Sequence, residues 1–362
     1  MNENEQLSHI KKVGEIDNIS REEFEFRIQE IARCKRDICY FAEKYFRIIS
    51  LDKGLHIIKL YEKQKALLRF FVNENRCLTL ASRQTGKTTS YTIYALWTLI
   101  FNPEKRIMLL ANKADTVLEI LGRIQMAYEY LPTWLKPAVV VWNKGEIQFS
   151  NKSAIKGFPT ASDAARGYSA GIVIMDEAAF VPNNIASKVF ESIYPVISSS
   201  KKSKFIIVST PNGADPNNLY YSLWQQANQK TAEKNREGWK PFRIDWWDVP
   251  GRDQKWKEQT VASIGEKRFA QEFGNEFLTG KQSRKLMPDD VLEKYRMELS
   301  KMKAQGIKPV EQQILSEDEQ RIYKFKMWRE FDASKTYAAA ADIAEGVGQD
   351  SSVLYVFDVT DL

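Results

Sequence analysis

Cys77–Tyr94 reads CLTLASRQTGKTTSYTIY, and the fold turns on it. A short apolar run (Leu78, Leu80, Ala81) stops at a polar turn. Gly86-Lys87-Thr88 follows, and a helix-period apolar segment then runs from Tyr91 to Phe101. Strand, loop and helix in that order make a phosphate cradle, because the loop amides and the helix N-terminus present partial positive charge to a polyphosphate. In such a cradle Lys87 reaches the β- and γ-phosphates and Thr88 holds Mg2+. The nucleotide-binding candidates are Ser82, Arg83, Gln84, Thr85, Gly86, Lys87, Thr88 and Thr89. One position departs from G-x-x-x-x-G-K-[ST], for Ala81 stands where the first glycine would.

Upstream, a helix expected over Ile57 to Phe71 contains Tyr61 and Gln64. An aromatic ring and an amide at this remove from the loop can stack on adenine and satisfy its N6 and N7 edge. The alternative is a half-buried tyrosine and a surface glutamine. Downstream, the buried strand Gly171 to Met175 ends at Asp176-Glu177. An acidic pair after a strand is commonly a helix cap. With Lys87-Thr88 upstream it instead supplies the other end of a phosphoryl transfer: Asp176 for the Mg2+ shell, Glu177 to orient and deprotonate the attacking water. A third strand, Phe205 to Ser209, ends at Ser209-Thr210-Pro211. Its hydroxyls sit beside the γ-phosphate only if this strand lies between the other two, and the chemistry predicts that order. Added positive charge stabilises the transition state. Arg83, inside the loop, would supply it in cis, and Arg166 to a neighbouring subunit's nucleotide.

Composition sets outer bounds. At 362 residues, two or three domains are expected. Apolar content of 43% and charged content of 28% fit a globular protein. The longest apolar run, the helix after the loop, is too short to span a bilayer, so no membrane partner is expected. No secretory signal opens the chain. The three cysteines (Cys34, Cys39, Cys77) lack metal-ligand spacing and read as buried reduced thiols. With only two histidines, a zinc site or a serine–histidine triad is disfavoured. Residues 1–30 carry −4 and the remainder +10. A basic body suits a polyanion.

Along the chain, residues 1–55 read as an N-terminal helical segment, helical from Arg21 to about residue 47 and packing on the smaller subdomain or the base of the core. Residues 56–235 form the core. Arg106–Ala111 is a strand and Ala114–Tyr130 a helix, and Glu146–Ser150 and Ala154–Phe158 form a hairpin around Asn151-Lys152-Ser153. All-apolar strands alternating with helices predict a parallel sheet covered on both faces. Residues 236–330 read as a small second subdomain and hinge: Trp239, Trp246, Trp247 and Trp256 clustering in a mainly helical 236–290, then a charged helical 291–330. Residues 331–362 return to strand texture.

The segments SRQTGKTT (82–89), SDAARGYSAGIVIMDEAAF (162–180), VSTPNG (208–213), FAQEFGNEF (269–277) and ADIAEGVGQD (341–350) together resemble the large subunit of tailed-phage terminases, most nearly those of T-even-type myophages. The resemblance implies an α/β fold: a RecA-like (ASCE) P-loop ATPase sheet flanked by helices, a small helical second subdomain, and an RNase H-like nuclease beyond. It implies a motor that hydrolyses ATP with Mg2+ and drives double-stranded DNA into a procapsid. The implied partners are the portal protein, the small terminase subunit and further copies in a homo-oligomeric ring, in the host cytoplasm and transiently on the procapsid vertex. By the same resemblance Lys87, Thr88, Asp176 and Glu177 carry hydrolysis, Ser209-Thr210 couple it to motion, and Tyr61 and Gln64 match the adenine motif.

Asp342 matches the nuclease's first metal-binding aspartate. The sequence continues through SSVLYVFDV and stops at Leu362, so later carboxylates needed for two-metal cleavage are missing and no DNA cutting is expected of this chain. Two other readings stay open. One is a helicase- or restriction-type translocase, which would need a second RecA-like lobe. The other is a non-enzymatic nucleic-acid or capsid-assembly module with a vestigial pocket.

Overall fold

The computed structural model describes residues 19–50, 52–160, 168–198, 200, 202–228 and 238–278, and towards the C-terminus 297, 300–301, 310–315, 322–327, 332–342 and 353–358. The chain divides into two units, Met1–Ser283 and Arg284–Leu362.

The first unit opens with helices α1 (Arg21–Arg36) and α2 (Ile38–Tyr45) and a hairpin of β1 (Arg47–Ser50) and β2 (Gly54–Ile57). The expected single helical run breaks at Asp37, whose carboxylate accepts from the Cys39 and Tyr40 amides and so starts a new helix. There follow α3 (Glu62–Asn73), β3 (Arg76–Ala81), α4 (Lys87–Phe101), β4 (Arg106–Ala111) and α5 (Ala114–Glu129). Next come β5 (Val139–Trp142), β6 (Glu146–Phe149), β7 (Ala154–Pro159), β8 (Ile172–Asp176), α6 (Asn183–Ser198), β9 (Lys204–Ser209) and α7 (Leu219–Ala227). Last are β10 (Lys240–Ile244), α8 (Gln254–Ile264) and α9 (Glu266–Glu272).

Eight strands make one sheet in the order β10-β3-β9-β8-β4-β7-β6-β5. The first six run parallel, and β6 and β5 add an antiparallel edge. Strands β8 and β9 are buried along their whole length, as expected of strands covered on both faces. One face packs against α1 to α5 through Phe41, Leu67, Phe71, Tyr91 and Ile124. The other packs against α6 and α7 through Val189, Ile193, Tyr220 and Leu223. The N-terminal helices lie on the first of these faces, where the Trp97 indole donates to the Cys34 carbonyl at 2.8 Å. The three cysteines are buried and free.

Several sequence expectations are corrected. The helix expected from Ile57 starts at Glu62, because Ile57 closes β2 and Tyr61 is still extended. Residues 236–290 are not helical throughout: Lys240–Ile244 forms β10, pairs with β3 and extends the core sheet, so a boundary at 235/236 falls ahead of a core strand. As an edge strand with exposed Lys240 and Pro241 it lacks the continuous apolar run of its neighbours. Trp239 is buried against Phe205 on the α6–α7 face, apart from the Trp246-Trp247-Trp256 group.

In the second unit, β11 (Val310–Leu315) and β12 (Ile322–Met327) form an antiparallel pair where charged helix was expected. In β12, Lys324 and Lys326 alternate with Phe325 and Met327, a strand signal hidden in a Lys- and Glu-rich stretch. β13 (Tyr337–Asp342) and β14 (Val353–Asp358) pair antiparallel, with Asp342 opposite Val353. The Asp342 side chain lies outside the described part.

β9 is anchored at its start by a buried lysine. Lys204 donates to the carbonyls of Phe71, Val72 (3.0 Å) and Glu74 (2.5 Å), closing the C-terminal end of α3. Burial depresses its pKa. Replacing the ammonium by a thioether of similar length strands these acceptors. Lys204→Met should therefore destabilise the fold by about 2 kcal/mol or more, read as a lower urea midpoint at unchanged slope.

Candidate functional site at the carboxyl edge of the parallel sheet

Strand order brings three chain segments to one edge. β3 ends at Ala81, β9 at Ser209 and β8 at Asp176, and β9 lies between the other two. In register, Leu80 faces Ser209 and Val208 faces Asp176. The phosphate-loop segment, the acidic pair and the hydroxyl pair therefore emerge together, where open α/β sheets place their ligands.

The loop 82–86 turns tightly before α4. Gln84 and Gly86 both have positive φ, 57° and 73°. At Gly86 the left-handed backbone favours glycine, and a β-carbon there would lie 2.3 Å from the Gln64 amide nitrogen and displace that side chain. Gln64 is buried and its Oε1 accepts from the Tyr61 amide at 3.4 Å. The Tyr61 hydroxyl donates to the Thr85 carbonyl at 2.6 Å. The Thr85 hydroxyl in turn donates to the Ser82 carbonyl at 2.9 Å. Both adenine candidates thus touch the phosphate loop itself.

Lys87, the first residue of α4, is buried, and its Nζ meets Glu177 Oε1 at 2.7 Å. The other Glu177 oxygen accepts from the Ser209 hydroxyl (3.4 Å), the Thr210 amide (3.3 Å) and the Thr210 hydroxyl (3.3 Å). The Ser209 oxygen accepts from the Ala179 amide at 3.1 Å, which fixes the turn after Glu177. Glu177 itself sits in the left-handed region (φ 50°, ψ 42°), a conformation that costs a non-glycine residue about 1–2 kcal/mol. Lys87, Glu177, Ser209 and Thr210 form one constellation.

Asp176 is 4% exposed. Its Oδ2 accepts from the Tyr91 hydroxyl at 2.7 Å, and its Oδ1 is buried without a partner. Burial first, and the neighbouring Glu177 charge second, push its carboxyl up to about 6. An unsatisfied carboxylate oxygen beside a phosphate loop fits a divalent cation. Among the described residues no cluster of three His, Cys, Asp or Glu could hold a metal alone.

Arg83, a candidate for the γ-phosphate, has a side chain 65% exposed and ion-paired with Glu272 at 3.4 Å. Arg166 lies outside the described residues. Sequence reasoning passed over three residues. Tyr91 opens the apolar helical segment and carries no separate signal. Glu272 sits inside FAQEFGNEF, which was noticed only for its resemblance. Arg252 had no signal at all, being a lone arginine in a Pro-Gly-Arg-Asp turn. Its guanidinium donates to the carbonyls of Arg83 (3.0 Å) and Gln84 (3.1 Å) and lies over the rings of Trp256 (4.7 Å) and Phe273 (5.6 Å).

The sheet, its flanking helices and this edge define a RecA-like α/β nucleotide-site domain. Residues 78–284 match the family profile described as "Terminase large subunit, T4likevirus-type, N-terminal", and the chain belongs to that family. It is similar to the large terminase subunits of Thermus phage G20c and Thermus virus P23-45, each 23% identical over 265 residues, or 67% of this chain and 52% of theirs. The chain thus spans about half the length of these curated relatives. In fold it is similar to the HK97 bacteriophage large terminase, with a TM-score of 0.52 at 15% identity over 67% of this chain and 55% of that one.

The Gly86 geometry is directly testable. Gly86→Ala should cost about 1–2 kcal/mol for the left-handed backbone, and more for the clash with Gln64. Adding Gln64→Ala relieves the clash alone. In urea unfolding the two substitutions should be non-additive by at least about 0.5 kcal/mol, and simple additivity would remove the packing argument.

Proposed function

We propose that this chain is the ATP-hydrolysing motor part of a terminase large subunit, which drives double-stranded DNA into a procapsid. The observation that carries this reading is the 2.7 Å contact between Lys87 and Glu177. The cation that grips a γ-phosphate and the carboxylate that activates water occupy one spot, although they lie far apart in sequence. Tyr61 and Gln64 flank the adenine end. The amides of the 84–88 turn and the Lys87 ammonium bind the phosphates. Thr88 and Asp176 hold Mg2+, which supplies charge neutralisation on the phosphate oxygens when bound.

Without nucleotide, Lys87 and Glu177 neutralise one another. A γ-phosphate offers Lys87 a stronger partner, which frees Glu177 Oε1 to orient water while Ser209 and Thr210 keep hold of Oε2. Arg83 is engaged by Glu272, so the further positive charge on the transition state is assigned to Arg166 of a neighbouring copy. The homo-oligomeric ring, the portal and small-subunit partners and the place of action on the procapsid vertex belong to the same proposal, which family membership supports. A helicase-type translocase needs a second RecA-like sheet, and among the described residues the eight-stranded sheet is the only parallel one.

ATP turnover separates this reading from a vestigial pocket. Glu177→Gln should lower kcat by about 10²–10⁴-fold while fluorescent ATP analogues still bind. Lys87→Ala should weaken binding and turnover together. If both variants turned over ATP like the parent chain, the motor reading would fail. DNA grip should be sequence-blind and weaken steeply with salt, as phosphate contacts do.

A further inference from the structure

Tyr91 has the placement of a core residue and the chemistry of something else. It lies one helical turn beyond Lys87 and Thr88 on α4, so it shares their face. Its ring is fully buried among the apolar residues between the sheet and α4. A phenylalanine would fill that space equally well. The hydroxyl instead donates to Asp176 Oδ2 at 2.7 Å. A phenol has one O–H to give, and it is given to the carboxylate. The remaining Asp176 oxygen is buried and without a partner. A carboxylate held by one oxygen cannot turn about its χ2 axis without breaking that bond. The unpaired oxygen therefore stays on the side away from the Tyr91 hydroxyl.

We propose that Tyr91 is a positioning residue for the divalent cation of the nucleotide site: its hydroxyl fixes Asp176 through Oδ2 and leaves Oδ1 for the metal. The proposal rests on the reading of Thr88 and Asp176 as metal ligands. Groups that orient first-sphere ligands typically alter metal affinity by about 10–100-fold when removed, without touching the metal themselves. Neither phosphate-loop amides nor Lys87 depend on the Tyr91 hydroxyl, so metal-free nucleotide binding should not feel its loss.

The test is binding rather than turnover. Fluorescent ADP is titrated into the full chain with chelator and then with increasing Mg2+, for the parent, Tyr91→Phe and Asp176→Asn. Free Mn2+ is followed in parallel by electron paramagnetic resonance in the presence of ADP. In the parent, the metal should tighten ADP binding, and Asp176→Asn should abolish that gain. Tyr91→Phe should bind metal-free ADP within about twofold of the parent but need about 10–100-fold more Mg2+ or Mn2+ for the same gain.

A Tyr91→Phe chain with parental metal dependence overturns the proposal while the metal-ligand reading stands. Loss of metal-free ADP binding to the same degree as metal-dependent binding also overturns it, since that marks a packing role only. A parent, or an Asp176→Asn chain, in which metal acts independently of position 176 sinks the ligand reading and the proposal with it. Should Tyr91→Phe not fold, Tyr91→Met removes the hydroxyl with a flexible apolar filler and is judged by the same outcomes.

Discussion

Lys87 and Glu177 meet at 2.7 Å across a space that neither the chain's local order nor any single strand could define. The contact exists because β9 is inserted between β3 and β8. That insertion sets the two loops about two strand spacings apart, ~10 Å, a gap that a lysine and a glutamate span from opposite sides. It also puts Ser209 and Thr210 in the middle, where they take the second oxygen of the same glutamate. Lys87 is largely withdrawn from water, and leaving a buried ammonium unpaired would cost several kcal/mol. The carboxyl edge of the sheet is thus tied together by a buried ion pair between α4 and the turn after β8.

The phosphate loop is also held from its outer side. The amides of Ser82 and Arg83 are spent on the carbonyls of Ile244 and Glu272. The carbonyls of Arg83 and Gln84 receive the forked guanidinium of Arg252, a geometry that lysine cannot reproduce. Arg252 is fixed by Trp256 and Phe273, and Trp256 stacks on Trp246. Residues 244–275 therefore form the back wall of the nucleotide site. The aromatic texture that marks them in the sequence serves this wall more than an independent core.

Legibility followed chemistry of known spacing. The loop, the acidic pair, the central position of β9 and the 146–158 hairpin could all be read from residues, because each depends on local pattern or on a topological rule with few solutions. β10 could not be read, since an edge strand needs no continuous apolar run and Lys240–Ile244 carries two charges. β12 hid for a related reason, alternation among charged residues. Tyr91 and Arg252 were invisible for another: each acts through a partner distant in the chain, so neither spacing nor composition marks it. Tyr91 is also masked by its place in the apolar segment, for a tyrosine at helical period there is ordinarily core.

Glu177 carries the last step of the argument. Its left-handed backbone is held by two hydrogen bonds at Ser209 of β9, whose hydroxyl accepts from the Ala179 amide and donates to the Glu177 carboxylate. Beyond Thr210 the same segment continues to Asn212, which donates to the Ala179 carbonyl, and to Ala214, whose amide donates to the Leu278 carbonyl. A continuous set of contacts therefore runs from Lys87 through Glu177 and β9 to the end of the 266–278 segment. Contiguity alone does not make a coupling path. The narrowest point of this one is Glu177, whose Oε1 pairs with the Lys87 ammonium while Oε2 accepts from the Ser209 and Thr210 hydroxyls. Removing the ammonium would leave a carboxylate without its countercharge in the hold of those two hydroxyls. The hydroxyl pair thus meets the Lys87 side chain through one shared carboxylate.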